Sequence, residues 1–139
     1  MKIELVEIPG MTLSDQTRWR IRALALDGQS PVLTSLLQWA TSQKTDYNKI
    51  IKVMRIVGQS HRVTNQKHVR KSGNSSHDNV YEMRADKSHA RVMFFYDTDQ
   101  DFAICTHRYW KGKGHSSRDQ ATAFDQCERL REIYFQNKS

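Results

Sequence analysis

The hydrophobic and polar positions in the first part of the chain predict one strand followed by a helix. Lys2 to Ile8 carries β-branched and aliphatic residues and ends at a Pro-Gly pair, as a strand does before a turn. Residues 15–26 place three apolar side chains on one helical stripe, Trp19, Ala23 and Leu26. Because an Asp-Gly pair follows directly, the pattern predicts a first helix over residues 15–26.

Two further helices are predicted before residue 60. Ser30-Pro31 supplies an N-cap and a proline at the first helical position. Apolar residues then recur at helical spacing, at Leu33, Leu36, Leu37 and Ala40. The next helix begins at Thr45 or Asp46 and runs to Val57, with Gly58 closing it. Its apolar stripe is expected to pack in the core and comprises Tyr47, Ile50, Ile51, Met54 and Val57.

The second half of the chain has the pattern of strands. Three runs, Val80–Ala85, Arg91–Asp97 and Phe102–Trp110, are separated by polar segments, and the polar turn at 97–101 predicts a hairpin between the last two. In the first run, two-residue alternation puts Glu82 and Arg84 on its polar face. A capping-box pattern at 117–120 then opens a last helix, whose apolar side is Phe124, Cys127, Leu130 and Tyr134. The order indicates an α+β fold: an N-terminal strand, helices, an antiparallel three-strand meander and a C-terminal helix.

Length and charge limit the number of domains and the kind of partner. A chain of 139 residues predicts a single domain over residues 1–139. Its 22 Lys+Arg against 15 Asp+Glu give a net charge of +7, which favours an anionic partner. Residues 59–79 are polar and basic and predict a long flexible loop. This loop is either a mobile tether or an arm that closes on RNA.

Cysteine usage and hydropathy point to a cytoplasmic protein. Cys105 and Cys127 fall in a predicted strand and a predicted helix, so we expect buried, reduced thiols. No apolar run approaches the ~18 residues of a membrane span, and no membrane contact is expected. The six histidines and two cysteines show no metal-ligand spacing, and no phosphate-binding P-loop occurs. We therefore expect no metal and no other cofactor.

Three segments together resemble the RelE/HigB superfamily of type II toxin-antitoxin toxins, especially its phage-derived, HigB-like branch. They are Val80-Tyr-Glu-Met-Arg84, Arg91-Val-Met-Phe-Phe95 and Arg108-Tyr-Trp-Lys-Gly-Lys113, followed by an amphipathic helix. The resemblance covers residues 80–136, and the first half agrees only in element order. It implies a RelE-like microbial ribonuclease fold and metal-independent cleavage of mRNA, often on the ribosome. It also implies neutralisation by a cognate antitoxin protein.

Metal-free RNA cleavage requires cations that stabilise the anionic phosphorane, a general base for the 2′-hydroxyl and an acid for the leaving 5′-oxygen. Similarity to the strand-edge arginines of the superfamily places Arg84 and Arg91 at the phosphate. Arginine suits this role because its planar fork contacts phosphate oxygens in pairs. The alternative for both is a salt bridge across the meander, to Glu82, Asp86 or Asp97.

The candidates for the acid and the base are His89, His107 and His115, and packing within the strand is the alternative role of His107. The turn after the last strand holds His115 beside two further cations. Lys111, Lys113 and His115 alternate with glycine, and His115 is the first candidate for the general base because neighbouring cations favour a neutral imidazole. Exposure to solvent without a function is the alternative for this histidine. In place of a cation that superfamily members often carry on the first meander strand, this chain has Glu82, which leaves the base open.

A second set of residues is assigned to RNA binding. Tyr81, Tyr109 and Trp110 can stack on unpaired bases, since single-stranded RNA is recognised largely on aromatic surfaces. Core packing is the alternative for at least one of them. The set also includes polar and cationic residues that reach the phosphates, His89, Arg108, Arg70 and Lys71.

Two other classes of function fit the same features. The ParE branch of the superfamily binds DNA gyrase and cleaves nothing, and a non-catalytic RNA-binding module would also need the basic surface. Convergence of Arg84, Arg91 and the 111–115 turn in one concave site would favour cleavage. Separation of these residues would favour binding.

Overall fold

A computed structural model describes residues 1–73, 79–85, 87–110 and 117–138, and for Ser117 the backbone alone. The described strands are β1 (Ile3–Glu7), β2 (Arg20–Leu26), β3 (Val69–Lys71), β4 (Val80–Arg84), β5 (Ala90–Asp97) and β6 (Phe102–Trp110). The helices are α1 (Pro31–Ser42), α2 (Lys44–Gln59) and α3 (Ser117–Asn137), with a short 3-10 helix at Leu13–Asp15. None of the helices in these residues combines the length and apolar character needed to cross a membrane.

The strands form one sheet in the order β1-β2-β6-β5-β4-β3. All neighbouring pairs are antiparallel except β2 and β6, which run parallel. The predicted α+β class is confirmed, and so are the antiparallel β4-β5-β6 meander and the C-terminal helix. The predicted 97–101 turn joins β5 to β6, and all eight residues of β5 are buried, as expected of a central strand.

Helices cover both faces of the sheet. On one face, α1 and α2 enclose a core that includes Ile21, Met54 and Phe94. On the other face, α3 packs against β4, β5 and β6 over a second core that includes Phe95 and Phe124. Successive residues of β4 and β5 therefore alternate between the α1/α2 side and the α3 side. In β6 the alternation is interrupted at Thr106, where the register with β5 shifts, and both Thr106 and His107 lie under α3. Cys105 and Cys127 are both free and buried, in agreement with the prediction.

The predicted helix over residues 15–26 is wrong. Only the short 3-10 helix precedes β2, in which Ile21 and Ala23 face the α1/α2 core while Leu24 faces the α3 core. This period-two pattern is that of a strand buried on both faces. Alanine, leucine and arginine favour helices, but parallel pairing of Arg20–Ala23 with Phe102–Cys105 determines the structure.

The later helices were predicted well, with two corrections. Ser30 caps α1 as expected, because its Oγ accepts a hydrogen bond from the Leu33 amide at 3.3 Å. The buried face of α1 is rotated from the predicted stripe: Leu37 is exposed, and the buried residues are Val32, Ser35, Leu36 and Trp39. Gly58 lies inside α2 and does not close it. The stretch 59–79, predicted as loop, contains the edge strand β3.

Candidate functional site

Three arginines that were predicted as site residues, Arg70, Arg84 and Arg91, lie on the α3 side of the sheet. Arg84 of β4 is the register partner of Arg91 in β5, and Arg70 of β3 is the register partner of Glu82 in β4. Glu82 contacts Gln120 of α3, so alternation along β3, β4 and β5 places all four strand residues on this side. We refer to Arg70, Glu82, Arg84 and Arg91 as the arginine cluster.

Glu82 is the centre of this cluster and is fully buried, which contradicts its predicted position on a polar strand face. Its Oε1 lies 2.9 Å from Nε of Arg91, and its Oε2 accepts a hydrogen bond of 2.6 Å from Nε2 of Gln120. Arg91 also donates through Nη1 to the carbonyl oxygens of Ser88 and Ala90, at 2.7 and 3.0 Å. The salt bridge that the sequence offered as the alternative role of Arg91 is therefore present.

These contacts determine the electrostatics of Arg91. Burial lowers its pKa, the Glu82 carboxylate opposes that shift, and the Arg84 guanidinium adds to it. The side chain is only 9% exposed, and its fork is engaged by protein acceptors. Arg91 is thus held in place, with little surface left for a ligand.

Arg84 and Arg70 are the accessible members of the cluster. Arg84 is half-buried and Arg70 is exposed. No carboxylate within the described ranges forms an ion pair with either of them. Their guanidinium groups can therefore meet an incoming phosphate from the solvent side of the cluster.

Tyr109 is the aromatic residue of the prediction that lies beside the arginine cluster. It is the register partner of Arg91 and is 7% exposed. Burial raises the pKa of its hydroxyl, and the carboxylates of Asp119 and Glu82 raise it further. Tyr109 is therefore a neutral, largely enclosed phenol at neutral pH, placed for polar contacts more than for stacking on a base.

His107 lies further along β6, beneath α3. Its Nδ1 is 2.9 Å from Oγ1 of Thr106, and that hydroxyl is in turn 3.4 Å from Sγ of Cys127. Burial lowers the pKa of His107 to about 4, against an opposing contribution from the Ala123 backbone. The imidazole is neutral at pH 7, but it is 7% exposed and packed under the helix.

The other residues assigned to RNA binding are divided over the sheet. Tyr81 packs on the α1/α2 side, 5.5 Å from the Phe94 ring, so core packing is its role. Trp110 is half-buried on the same side, with its ring centroid 5.7 Å from that of Trp39 and 5.8 Å from that of His89. His89, Arg108 and Lys71 are exposed, and the guanidinium of Arg108 borders a cleft beside Trp39 and Trp110.

Three predicted catalytic residues, Lys111, Lys113 and His115, lie outside the described residues, as does Asp86. The residues of the arginine cluster and its contacts that the sequence did not reveal are Glu82, assigned to a polar face, and Gln120, assigned only to a capping box. The sequence did contain a signal for the burial of Glu82, because this residue lies between apolar residues in a predicted strand that neighbours the strand of Arg91. Within the described part of the chain, no group of three or more His, Cys, Asp or Glu could hold a metal ion.

Comparison with known proteins identifies one family. The family described as phage-derived protein Gp49-like (DUF891) matches residues 38–128, which is more than half of the chain. That family is part of the RelE/HigB-like toxin clan, in agreement with the predicted resemblance at the level of the clan. No curated protein and no solved structure matches the chain.

Proposed function

We propose a toxin function for this chain, which belongs to the Gp49-like family of phage-derived proteins. The family is toxin-like, and its membership of the RelE/HigB-like clan supports a more specific proposal. The chain would act as the toxin of a type II toxin-antitoxin system, as a metal-independent mRNA endoribonuclease associated with the ribosome. Its partners would be mRNA and a cognate antitoxin protein.

The observation that supports cleavage is the arginine cluster. Two accessible arginines, Arg84 and Arg70, lie on the same side of the sheet as Arg91, which Glu82 holds in place. When a ribose 2′-oxygen attacks the adjacent phosphorus, the pentacoordinate phosphorane gains negative charge before the 5′-oxygen leaves. Preorganised cations stabilise that charge without having to reorganise during the reaction.

We divide these roles between the arginines. Arg84 is the residue we assign to the phosphate, because it is half-buried and lies directly opposite Arg91. Arg91 acts as a positioning residue that keeps Glu82 and the adjoining strands in register. Tyr109 borders the same position and is a candidate hydrogen-bond donor to the phosphate.

We propose that the general base and the general acid come from residues 111–115. β6 ends at Trp110, whose register partner Ala90 adjoins Arg91. Lys111, Lys113 and His115 follow Trp110 directly in the sequence. The described imidazole beside Trp110 is His89, on the α1/α2 side of the sheet. His107 lies on the α3 side, and its enclosure under α3 makes it a poor proton carrier for a bound RNA.

Cleavage can be tested with purified protein added to a cell-free translation reaction, with new RNA ends mapped by primer extension. Ribosomes require Mg²⁺, so metal independence is determined from the products: attack by the 2′-hydroxyl leaves a 2′,3′-cyclic phosphate and a 5′-hydroxyl. We expect new ends of this type. Their absence from the wild-type reaction would contradict the endoribonuclease proposal.

Matched variants separate the phosphate contact from general loss of charge. Arg84→Gln should reduce cutting by about 100-fold or more, since removal of one electrostatic stabiliser typically costs 10²–10³ in rate. Arg129→Gln removes the same charge from an exposed position of α3 and should cut at the wild-type rate. Equal cutting by both variants would remove Arg84 from the mechanism.

The Glu82–Arg91 ion pair favours a second candidate, a toxin that binds without cleaving. A cation engaged by a buried carboxylate is less available to a transition state than a free one. A ParE-like toxin that binds gyrase, or a non-catalytic RNA-binding module, would keep such a structural pair. Growth arrest on expression with no new RNA ends would select this class.

A further inference from the structure

A second cationic feature lies on the α1/α2 side of the sheet, opposite the arginine cluster. A cleft of about 300 Å³ opens between α2 and the connection from β4 to β5. Its walls carry Lys49, Lys52, His68 and Lys87, and its floor is apolar, formed by Val53, Ile56 and Ala85. We refer to it as the lysine cleft.

The lysines reach this cleft from separate parts of the chain. Lys49 and Lys52 are one helical turn apart on α2, and Lys87 follows β4. Nζ of Lys49 donates a 3.2 Å hydrogen bond to the carbonyl oxygen of Lys87, which fixes the connection against the helix. The fold therefore places three lysine residues around one cavity, although like charges repel.

The described carboxylate beside the lysine cleft is that of Asp46, which lies one turn before Lys49 on α2 and accepts a 2.6 Å hydrogen bond from the Ser88 hydroxyl. No carboxylate among the residues that the structure describes forms an ion pair with Lys49, Lys52 or Lys87, and the lining contains no acidic side chain from these ranges. His68 contributes a further polar group whose Nδ1 is buried and has no hydrogen-bond partner among the described atoms. An anion in the cleft would offset the charge of the three lysines.

The size and floor of the cleft indicate what kind of anion it fits. Small-molecule sites begin at about 300 Å³ and combine apolar walls with a few placed polar groups. Several ammonium groups match a phosphate dianion better than a single carboxylate. The apolar floor would contact a sugar and base.

We propose that the lysine cleft binds a phosphate ester of nucleotide size, with the phosphate among Lys49, Lys52 and Lys87. The same chemistry is presented by a free mononucleotide and by the phosphorylated end of an RNA strand. The site is separate from the arginine cluster and does not depend on RNA cleavage.

Calorimetric titration of the full chain tests the proposal, with AMP, adenosine, and an RNA hexamer carrying either a 5′-phosphate or a 5′-hydroxyl. We expect saturable binding of AMP, of the phosphorylated hexamer or of both. The matching probe without phosphate should bind at least tenfold more weakly. Tighter binding of the phosphorylated hexamer than of AMP would identify the RNA end as the source, and the reverse would identify the free nucleotide.

Variants assign the binding to the cleft. The double variant Lys52→Gln/Lys87→Gln should weaken binding at least tenfold, whereas Lys44→Gln, exposed in the first turn of α2, should change it less than twofold. If neither phosphorylated probe binds, or if the double variant binds like the wild type, the proposal is wrong. Binding that is lost only in Arg84→Gln would place the ligand in the arginine cluster and would also overturn the proposal.

Discussion

The guanidinium Nε of Arg91 lies 2.9 Å from the Glu82 carboxylate, and both side chains are enclosed where α3 covers β4 and β5. A buried ion pair is not in itself a source of much stability, because desolvation of both groups opposes their attraction. Removal of one partner is different, since it leaves an uncompensated charge in the interior. The pair therefore keeps the two meander strands in one arrangement, and Arg84, the register partner of Arg91, is positioned with them.

Glu82→Gln should lower the free energy of unfolding by about 3–5 kcal/mol, the usual cost of breaking a buried pair. The double variant Glu82→Leu/Arg91→Met should recover most of that loss, because it removes both charges together. Urea unfolding at pH 7 measures both. The exposed pair of Lys2 and Glu4 provides the control, and Glu4→Gln should stay within about 0.5 kcal/mol of wild type. A Glu82→Gln protein as stable as wild type would show that the Glu82–Arg91 ion pair does not hold the two strands together.

The Arg91 pair also shows where sequence reasoning reached its limit. The strand patterns correctly placed Arg84 in β4 and Arg91 in β5, and Glu82 was named as a possible salt-bridge partner of both. These patterns could not show that Glu82 is buried, because burial depends on α3, whose Gln120 reaches it from 38 positions away. The β2 strand was missed for a related reason: its pairing with β6 joins residues 82 positions apart, from Arg20 to Phe102, and local propensity favoured a helix.

Gly58 allows a direct test of a close backbone approach. A Cβ at this position would lie 2.3 Å from the carbonyl oxygen of Asp15, a backbone atom that cannot easily move. The Gly58 carbonyl also accepts hydrogen bonds from the amides of Arg18 and Trp19, at 2.8 and 3.0 Å. Helix propensity alone predicts that Gly→Ala stabilises α2 by about 1 kcal/mol.

We expect Gly58→Ala to destabilise the protein by about 2 kcal/mol or more, because the clash outweighs the gain in propensity. Thermal unfolding followed by circular dichroism measures the change. Gly73→Ala is the control, since a Cβ there meets nothing within 4 Å, and it should leave the melting temperature almost unchanged. A more stable Gly58→Ala variant would show that the 3-10 segment is free to move away from α2.

His107 should make stability depend on pH in a defined window. Burial lowers its pKa to about 4 from 6.5, so between these pH values the unfolded chain binds a proton that the folded chain excludes. Stability is complete above pH 6.5 and falls as the pH decreases toward 4, by at most about 3 kcal/mol. His107→Gln should flatten this part of the profile in urea unfolding, whereas exposed His89→Gln should retain it. If the free energy of unfolding of His107→Gln still fell between pH 6.5 and 4 as in wild type, His107 would not be the source of the pH dependence.

Asp97 connects the end of β5 to the end of α3. Its fully buried carboxylate accepts hydrogen bonds through Oδ2 from the Tyr134 hydroxyl and from Nζ of Lys138, each at 2.7 Å. Burial raises the pKa of Asp97, but these hydrogen bonds outweigh it, and the net result is a pKa below 3.8. Because the folded pKa is depressed, the stabilisation is fully present above pH 3.8 and is lost as the pH falls through the lower folded value.

Lys138→Met removes the cation from this network and should destabilise the protein at pH 7 by about 1.5–3 kcal/mol, the range for a hydrogen bond to a charged group. It should also raise the folded pKa of Asp97, so acid unfolding, followed by tryptophan fluorescence, should begin at a higher pH than in wild type. Lys2→Met, which removes an exposed lysine paired with Glu4, should leave both values within about 0.5 kcal/mol and 0.2 pH units. Equal acid midpoints for the Lys138→Met and Lys2→Met variants would mean that the Lys138 charge contributes nothing measurable, and that the Tyr134–Asp97 hydrogen bond and packing on Phe95 hold the end of α3 to the sheet.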